Sequence, residues 1–135
     1  MEQEHRPRVL LVDDYPGLMS AWRRLLKPWC DVVGEVSDGR TVIDAAIALE
    51  PDVIVLDVSM PGLNGLDACR AIKRAEARTQ IVVVTADGNP DLADAAFRAG
   101  ASAFVVKQSA SGDLPEAIRR VLTGATYCTT FRTPS

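Results

Sequence analysis

Short apolar runs alternate along the chain with segments in which apolar residues recur every three or four positions. A continuous apolar run bounded by turn residues is typical of a strand buried on both faces, whereas the longer spacing is typical of an amphipathic helix. The run at 53–56 is the clearest case, because it leads directly into Asp57 before Pro61 and Gly62 break the backbone. The predicted strands span residues 8–12, 31–36, 53–57, 81–84 and 103–106.

The segments between these strands predict five helices. Pro16 suits the first turn of a helix that Pro28 ends, while Asn89 and Pro90 form an N-cap and first-turn pair and Gly100 suits a C-terminal cap. The residues expected to face the core are Leu18, Ala21, Trp22, Leu25 and Leu26 in the first helix, Ile43, Ala46, Ile47 and Leu49 in the second (40–49), Leu66, Cys69 and Ile72 in the third, and Leu114, Ile118, Val121 and Leu122 in the last (113–124). This alternation predicts an α/β fold, with a parallel sheet covered by helices on both faces.

Composition narrows the class of protein. The chain has 135 residues, of which 47% are hydrophobic and 24% charged, with a net charge of −3. We expect one domain over residues 1–124 and a tail or the start of a linker over 125–135. The absence of a basic field argues against direct nucleic-acid binding by this segment, and no apolar run approaches the length of a membrane span. We therefore expect a soluble, cytoplasmic protein with no membrane association.

Two further residue types are interpreted as packing residues. Cys30, Cys69 and Cys128 are odd in number and fit no metal-ligand spacing, so they are expected to be small buried hydrophobes in a reducing compartment. Trp22 and Trp29 are likewise expected to pack rather than to form a binding site.

Polar side chains follow four of the five predicted strands, at the point where each strand ends. Asp13 and Asp14 follow the first, Asp57 ends the third, Thr85 follows the fourth and Lys107 follows the fifth. Because parallel strands present their carboxyl ends at one edge, these groups meet there if the strands are neighbours. Each has an ordinary explanation alone, as a loop acid, a cap or a surface lysine. Their joint placement favours a functional site.

The negative charges of clustered carboxylates repel one another and must be neutralised. At about 4 Å and an effective dielectric constant near 20, each pair of carboxylates costs on the order of 4 kcal/mol. A cluster of this kind is stable if it is protonated or binds a cation, and carboxylate oxygens with open water positions suit Mg²⁺. Acids, a metal ion, a lysine and a hydroxyl are the groups that phosphoryl transfer to a carboxylate needs.

These motifs resemble those of response regulator receiver domains over nearly the whole chain, from Arg8 to Gly124. The resemblance is carried by Asp13-Asp14, Leu56-Asp57-Val-Ser-Met-Pro-Gly62, Asn64-Gly65, Thr85-Ala86, Gly100-Ala101 and Lys107. It implies a flavodoxin-like (βα)5 doubly wound sheet with strand order 2-1-3-4-5, which makes the strands that carry the acids adjacent.

The resemblance also implies roles for the site residues. Asp57 would be the nucleophile that takes a phosphoryl group from the phosphohistidine of a sensor histidine kinase. Asp14, Asp57 and the backbone carbonyl of Ser59 would bind Mg²⁺, with Asp13 acting largely through a bound water. Lys107 would pair with the phosphoryl oxygens.

A second set of residues would form the switch. By the resemblance, Thr85 would move to hydrogen-bond the phosphoryl group and Phe104 would turn inward, which would remodel the surface formed by residues 89–124. Ser59 and Asp87 lie two residues beyond Asp57 and Thr85, and we hypothesise that they tune the lifetime of the aspartyl phosphate.

Two residues depart from the family pattern without removing a catalytic group. Gln108 stands where a proline often follows the lysine, so a cis peptide bond there is either absent or carries the larger non-proline cost of about 3 kcal/mol. Phe104 stands where many relatives have tyrosine, so an inward ring brings no hydroxyl group.

The segment ending at Tyr127 resembles receivers of the NarL/FixJ type, which precede a helix-turn-helix DNA-binding domain. The resemblance implies a switch that catalyses only its own phosphorylation and dephosphorylation. It would control an output domain, expected to be transcriptional, or a partner protein. Homodimerisation on phosphorylation is a further expectation, with the first or the last helix as the interface.

Two alternatives remain open. A Mg²⁺-dependent phosphatase that works through an aspartyl phosphate would need a general acid two residues after the nucleophile, where this chain has Ser59. A receiver-like scaffold that is never phosphorylated would not need the acids, Thr85 and Lys107 that are all present here.

Overall fold

The computed structural model describes residues 6–60 and 64–129, which form one sheet covered on both faces by helices. The expected positions 61 and 62 in the loop after Asp57, and the last six residues of the chain, lie outside the described residues. The strands are β1 (Arg8–Val12), β2 (Asp31–Val36), β3 (Val53–Asp57), β4 (Gln80–Thr85), β5 (Ala103–Val106) and β6 (Tyr127–Cys128), and the helices are α1 (Pro16–Leu26), α2 (Val42–Leu49), α3 (Gly65–Ala75), α4 (Pro90–Arg98) and α5 (Ala110–Leu122).

The sheet has the order β2-β1-β3-β4-β5-β6, and every pair of neighbouring strands is parallel. The apolar runs form its centre because a strand covered on both faces has no polar side, and the four apolar residues of β3 are all fully buried. The predicted flavodoxin-like order is therefore confirmed, with one strand added at the β5 edge.

Helices cover the sheet in two layers. The residues that point to one face pack against α1 and α5, and those that point to the other pack against α2, α3 and α4. The predicted caps are present, since the Asn89 side chain accepts a hydrogen bond from the Leu92 N–H at 2.8 Å and Gly100 follows α4 with a positive φ of 110°. Among the described residues, no helix combines the length and the apolar character that crossing a membrane would need.

The core-facing side of α2 differs from the prediction. Val42 and Ala46 are buried, whereas Ile43 and Ile47, which were expected to face the core, are 36% and 48% exposed. A turn of 3-10 helix at Gly39–Thr41 precedes α2. Val42, Ala46 and Leu49 recur at helical spacing and pack in the core, so Ile43 and Ile47 lie on the neighbouring side of the helix.

Four other packing predictions are wrong, one of them Leu122, the last residue of α5, which was expected to face the core and is 41% exposed. Met19 joins Trp22 and Leu26 on the buried face of α1, while Ala21 is exposed. Trp29 is 56% exposed because it follows the end of α1, and Cys128 is exposed on the edge strand β6. Apolar residues in loops and at a sheet edge lack the covering layer that residues in the middle of an element have.

The C-terminal part contains two features that the pattern did not predict. Helix α5 begins at Ala110, three residues before the predicted start, and follows a 3-10 turn at Lys107–Ser109. Pro115 lies inside this helix. The described residues contain no cis peptide bond, so the bond between Lys107 and Gln108 is trans.

Candidate functional site

The sheet register brings the predicted site residues to one edge. Asp57 at the end of β3 pairs with Val84 in β4, and Thr85, the next residue, pairs with Val106 in β5. Lys107 directly follows Val106. The ends of three adjacent strands therefore place a carboxylate, a hydroxyl group and an ammonium group side by side, as the strand-end pattern predicted.

Asp13 and Asp14 follow β1, the strand on the other side of β3, and complete an acidic cluster with Asp57. One carboxylate oxygen from each of the three lies within 4.8 Å of the others. Asp13 is fully buried and Asp57 is 1% exposed, while Asp14 is exposed. The Lys107 Nζ atom lies 2.9 Å from Asp13 Oδ2 and 3.0 Å from Asp57 Oδ2.

The pKa values show how the charges balance. Burial raises the pKa of Asp13 above its ordinary value, and the neighbouring Asp57 charge adds to this, although Lys107 and the Tyr15 N–H act in the opposite direction. Burial lowers the pKa of Lys107, but its contacts with Asp13 and Asp57 outweigh burial and leave that pKa above its ordinary value. One lysine therefore stabilises the buried acids only in part.

The acidic cluster has the properties of a Mg²⁺ site. Asp13 Oδ1 accepts a hydrogen bond from the Tyr15 N–H at 2.9 Å, and the buried Oδ2 atom forms the ion pair with Lys107. Two buried carboxylates and an exposed third one, balanced by a single lysine, provide the hard oxygen ligands that Mg²⁺ prefers, with solvent access for its remaining water ligands.

Ser59 holds the Asp57 carboxylate from the opposite side to Lys107. Its N–H and its Oγ donate hydrogen bonds to Asp57 Oδ1 at 2.9 and 2.6 Å. The sequence interpretation assigned Ser59 a carbonyl ligand and a role in lifetime, and it missed this contact. An aspartate side chain that accepts a hydrogen bond from the backbone N–H two residues later forms an Asx-turn, so the spacing of Asp57 and Ser59 could have predicted this contact.

Thr85, Ser59 and Asp87 line a cleft of about 680 Å³ beside the acids. Thr85 is 1% exposed, and its hydroxyl oxygen accepts a hydrogen bond from the Asp87 N–H at 3.2 Å. Phe104 is fully buried within the core layer of α2, α3 and α4, so its ring already points inward. Of the strand-end groups, Thr85 lines this cleft, together with Ser59, which contacts Asp57.

Residues 9–119 match the family model of the response regulator receiver domain. The chain therefore belongs to this family, the receiver domains of two-component response regulators. Such domains are signalling modules rather than conventional enzymes. Within the family, the chain is homologous to NarL-family response regulators.

Similar proteins support this assignment. The nitrate/nitrite response regulator NarP of Escherichia coli K12 is 39% identical over 114 residues, which are 83% of this chain and 53% of NarP. The chemotaxis protein CheY of Thermotoga maritima is 32% identical over 84% of this chain and 96% of CheY. The chain spans about half the length of NarP.

A solved structure agrees with the fold. The crystal structure of a LuxR-family two-component response regulator from Aurantimonas sp. SI85-9A1 superposes with a TM-score of 0.85 at 33% identity, covering 91% of this chain and 89% of that one.

Proposed function

We propose that this domain accepts a phosphoryl group on Asp57 from the phosphohistidine of a sensor histidine kinase. A carboxylate oxygen of Asp57 forms the new bond to phosphorus as the phosphorus–nitrogen bond of the phosphohistidine breaks. The observation that carries the proposal is the contact of the Lys107 ammonium with Asp57 Oδ2 at 3.0 Å, beside the buried Asp13 and the exposed Asp14. This cation is placed to stabilise negative charge added to Asp57.

Asp13, Asp14, Asp57 and the Ser59 carbonyl group would hold Mg²⁺ in this proposal. The clustered carboxylates support the assignment, since one lysine offsets their charge only in part and a divalent cation would complete the compensation. Bound there, Mg²⁺ would offset the charge of the acids and of the phosphoryl oxygens. The chain itself orients the nucleophile, because Ser59 holds one Asp57 oxygen and Lys107 the other.

The switch follows from the hydroxyl group beside the nucleophile. Thr85 now accepts a hydrogen bond from the Asp87 backbone, and a phosphoryl group on Asp57 would offer its hydroxyl a stronger, charged acceptor. The Phe104 ring is already buried, so the inward turn predicted for it is not available and a shift of Thr85 would instead change the packing at the β4–β5 edge. The surface over residues 89–124 would then change shape and control an output domain or partner protein.

The output follows from the resemblance to NarL/FixJ-type receivers. We expect transcriptional control in the cytoplasm through an output domain or a partner, with homodimerisation on phosphorylation. The only reactions of the domain itself would be its own phosphorylation and dephosphorylation.

Treatment with acetyl phosphate and Mg²⁺ tests the phosphoryl acceptor. Intact-mass spectrometry should show one phosphoryl group per chain, absent in Asp57→Asn and retained in Asp94→Asn, which removes an exposed carboxylate from α4. Labelling of the Asp57→Asn protein to the wild-type level would refute the proposal. Sustained multiple turnover of a small phosphate ester would favour the phosphatase alternative instead.

The lifetime hypothesis has a separate test. Asp87 lines the cleft beside Thr85, so its carboxylate lies where it would orient or repel an attacking water. We expect Asp87→Ala to change the hydrolysis rate of the aspartyl phosphate, with Asp94→Ala as the control. Equal rates in the wild type and Asp87→Ala would show that the hypothesis is wrong.

A further inference from the structure

The C-terminal segment is attached along the free edge of β5. The Tyr127 N–H donates to the Ser102 carbonyl at 3.1 Å and the Thr129 N–H to the Phe104 carbonyl at 2.8 Å. The Thr129 hydroxyl oxygen also accepts a hydrogen bond from the Val106 N–H at 3.1 Å. These bonds follow β5 to its last residue, so the described part of the segment predicted as a tail reaches Val106, the residue before Lys107.

A single carboxylate holds this segment to α5. Asp113 accepts hydrogen bonds from the Tyr127 hydroxyl at 2.8 Å, the Ser109 hydroxyl at 2.8 Å and the Thr129 hydroxyl at 3.0 Å. Burial raises the pKa of Asp113, but these three donors outweigh it and hold that pKa below its ordinary value. The Arg120 guanidinium lies 5.9 Å from the Tyr127 ring centroid. We call Ser109, Asp113, Tyr127 and Thr129 the C-terminal clasp.

The clasp holds both ends of the turn that carries Lys107. Thr129 binds the N–H of Val106, immediately before the turn, and Ser109 is its last residue, with an Oγ atom 3.2 Å from the Val106 carbonyl oxygen. The Lys107 side chain reaches from this turn to Asp57. Only one turn of backbone therefore separates the clasp from the proposed phosphoryl acceptor.

Building on the proposed function, we propose that the C-terminal clasp positions Lys107 relative to Asp57. Attachment of β6 and the state of the phosphorylation site are then energetically coupled. Coupling between two sites is reciprocal, so a change at either one alters the other. Whatever follows β6 in the chain would respond to phosphorylation through the clasp.

Phosphorylation kinetics test the effect of the clasp on the site. Thr129→Val keeps the branched shape but removes the hydroxyl group that joins Asp113 to the Val106 N–H. We expect its labelling rate at Asp57 by acetyl phosphate to fall about fivefold, at the lower end of the range for coupled sites. Thr129→Ser restores the hydroxyl group and should restore the rate.

The matched control is Thr123→Val, whose hydroxyl group donates to the Arg120 carbonyl at 2.8 Å outside the clasp. It should label at the wild-type rate, and urea midpoints verify that every variant is folded. A wild-type rate in Thr129→Val would overturn the proposal, as would a rate for Thr129→Ser as slow as that of Thr129→Val.

Hydrogen exchange tests the reverse direction without phosphorylation. Lys107→Met removes the ion pairs that hold the turn, so the amides of Tyr127 and Thr129 should exchange about fivefold faster. The Leu10 amide in β1 is the control for global loosening. Unchanged exchange at both β6 amides would overturn the proposal. If Asp57 is never labelled, the proposed function fails, while this experiment still decides whether the clasp and Lys107 are coupled.

Discussion

Replacement of Asp13 by asparagine should stabilise the protein when no divalent cation is present. Asp13 is fully buried, and its carboxylate lies within 4.8 Å of oxygens of Asp14 and Asp57. Asparagine has nearly the same shape and keeps an oxygen for the Tyr15 N–H. The substitution removes a buried charge whose surroundings raise its pKa, so the folded state should gain free energy relative to the unfolded state.

The magnitude follows from the distances. With oxygens within 4.8 Å, repulsion of Asp13 by the buried Asp57 is about 3.5 kcal/mol at an effective dielectric constant near 20, while solvent screens the exposed Asp14. The attraction to Lys107 at 2.9 Å, lost in the variant, is about 6 kcal/mol on the same scale. Desolvation is the largest cause of the raised pKa of Asp13, so removing this cost decides the sign, and the free energy of unfolding should rise on the order of 1–2 kcal/mol.

Urea unfolding in EDTA at pH 7 measures this gain, with Asp94→Asn on the exposed side of α4 as a control for net charge. Because the pKa of Asp13 is raised in the folded state, its ionisation destabilises the wild type as pH rises through that pKa. The advantage of Asp13→Asn should therefore shrink as the pH is lowered. A variant less stable than the wild type at pH 7, or an advantage independent of pH, would refute the reasoning.

Added Mg²⁺ provides an independent comparison within the same experiment. A ligand that binds only the folded state raises its stability with concentration. Mg²⁺ should stabilise the wild type more than Asp13→Asn, because the variant lacks one of the three carboxylates. An equal Mg²⁺ effect in both proteins would show that Asp13 does not contribute to the site.

Four further substitutions test the neighbouring structure. Gly65→Ala would place a Cβ atom 2.5 Å from Val58 Cβ and should lower the free energy of unfolding by about 1–3 kcal/mol. The Cβ atom of Gly112→Ala in α5 would meet no atom within 4 Å, so this variant should raise the free energy of unfolding by about 0.5–1 kcal/mol. Urea unfolding measures both. Lys107→Ala should keep some labelling by acetyl phosphate but lose the phosphorylation-dependent change in partner binding, and a preserved binding response would contradict this. Asp113→Asn should destabilise the protein above pH 4. The loss should become smaller as pH falls through the depressed pKa of Asp113, because protonation removes the same charge from the wild type. A difference in urea midpoints that does not depend on pH would contradict the assignment.

Local patterns were sufficient for most of the fold. Apolar runs such as 53–56 have no polar side and can only be covered on both faces, so the strands and their parallel arrangement followed from the chain itself, whereas the strand order came from the family resemblance. The side of a helix that faces the sheet was harder to predict, as Ile43 and Ile47 show. Both sides of α2 carry apolar residues, so hydrophobic spacing alone did not distinguish the side that packs in the core from its neighbour.

The sequence by itself determined which groups follow the strands, and with parallel strands this decided which edge Asp57, Thr85 and Lys107 share. Only the tertiary structure decided how they contact one another. Lys107 binds two carboxylates at once because β1 and β5 lie on opposite sides of the β3–β4 pair, and no local spacing encodes that distance. The attachment of Tyr127 to β5 was likewise decided by the tertiary structure. A two-residue strand has too few residues for a pattern, and it forms because a free edge and the Asp113 carboxylate lie beside it.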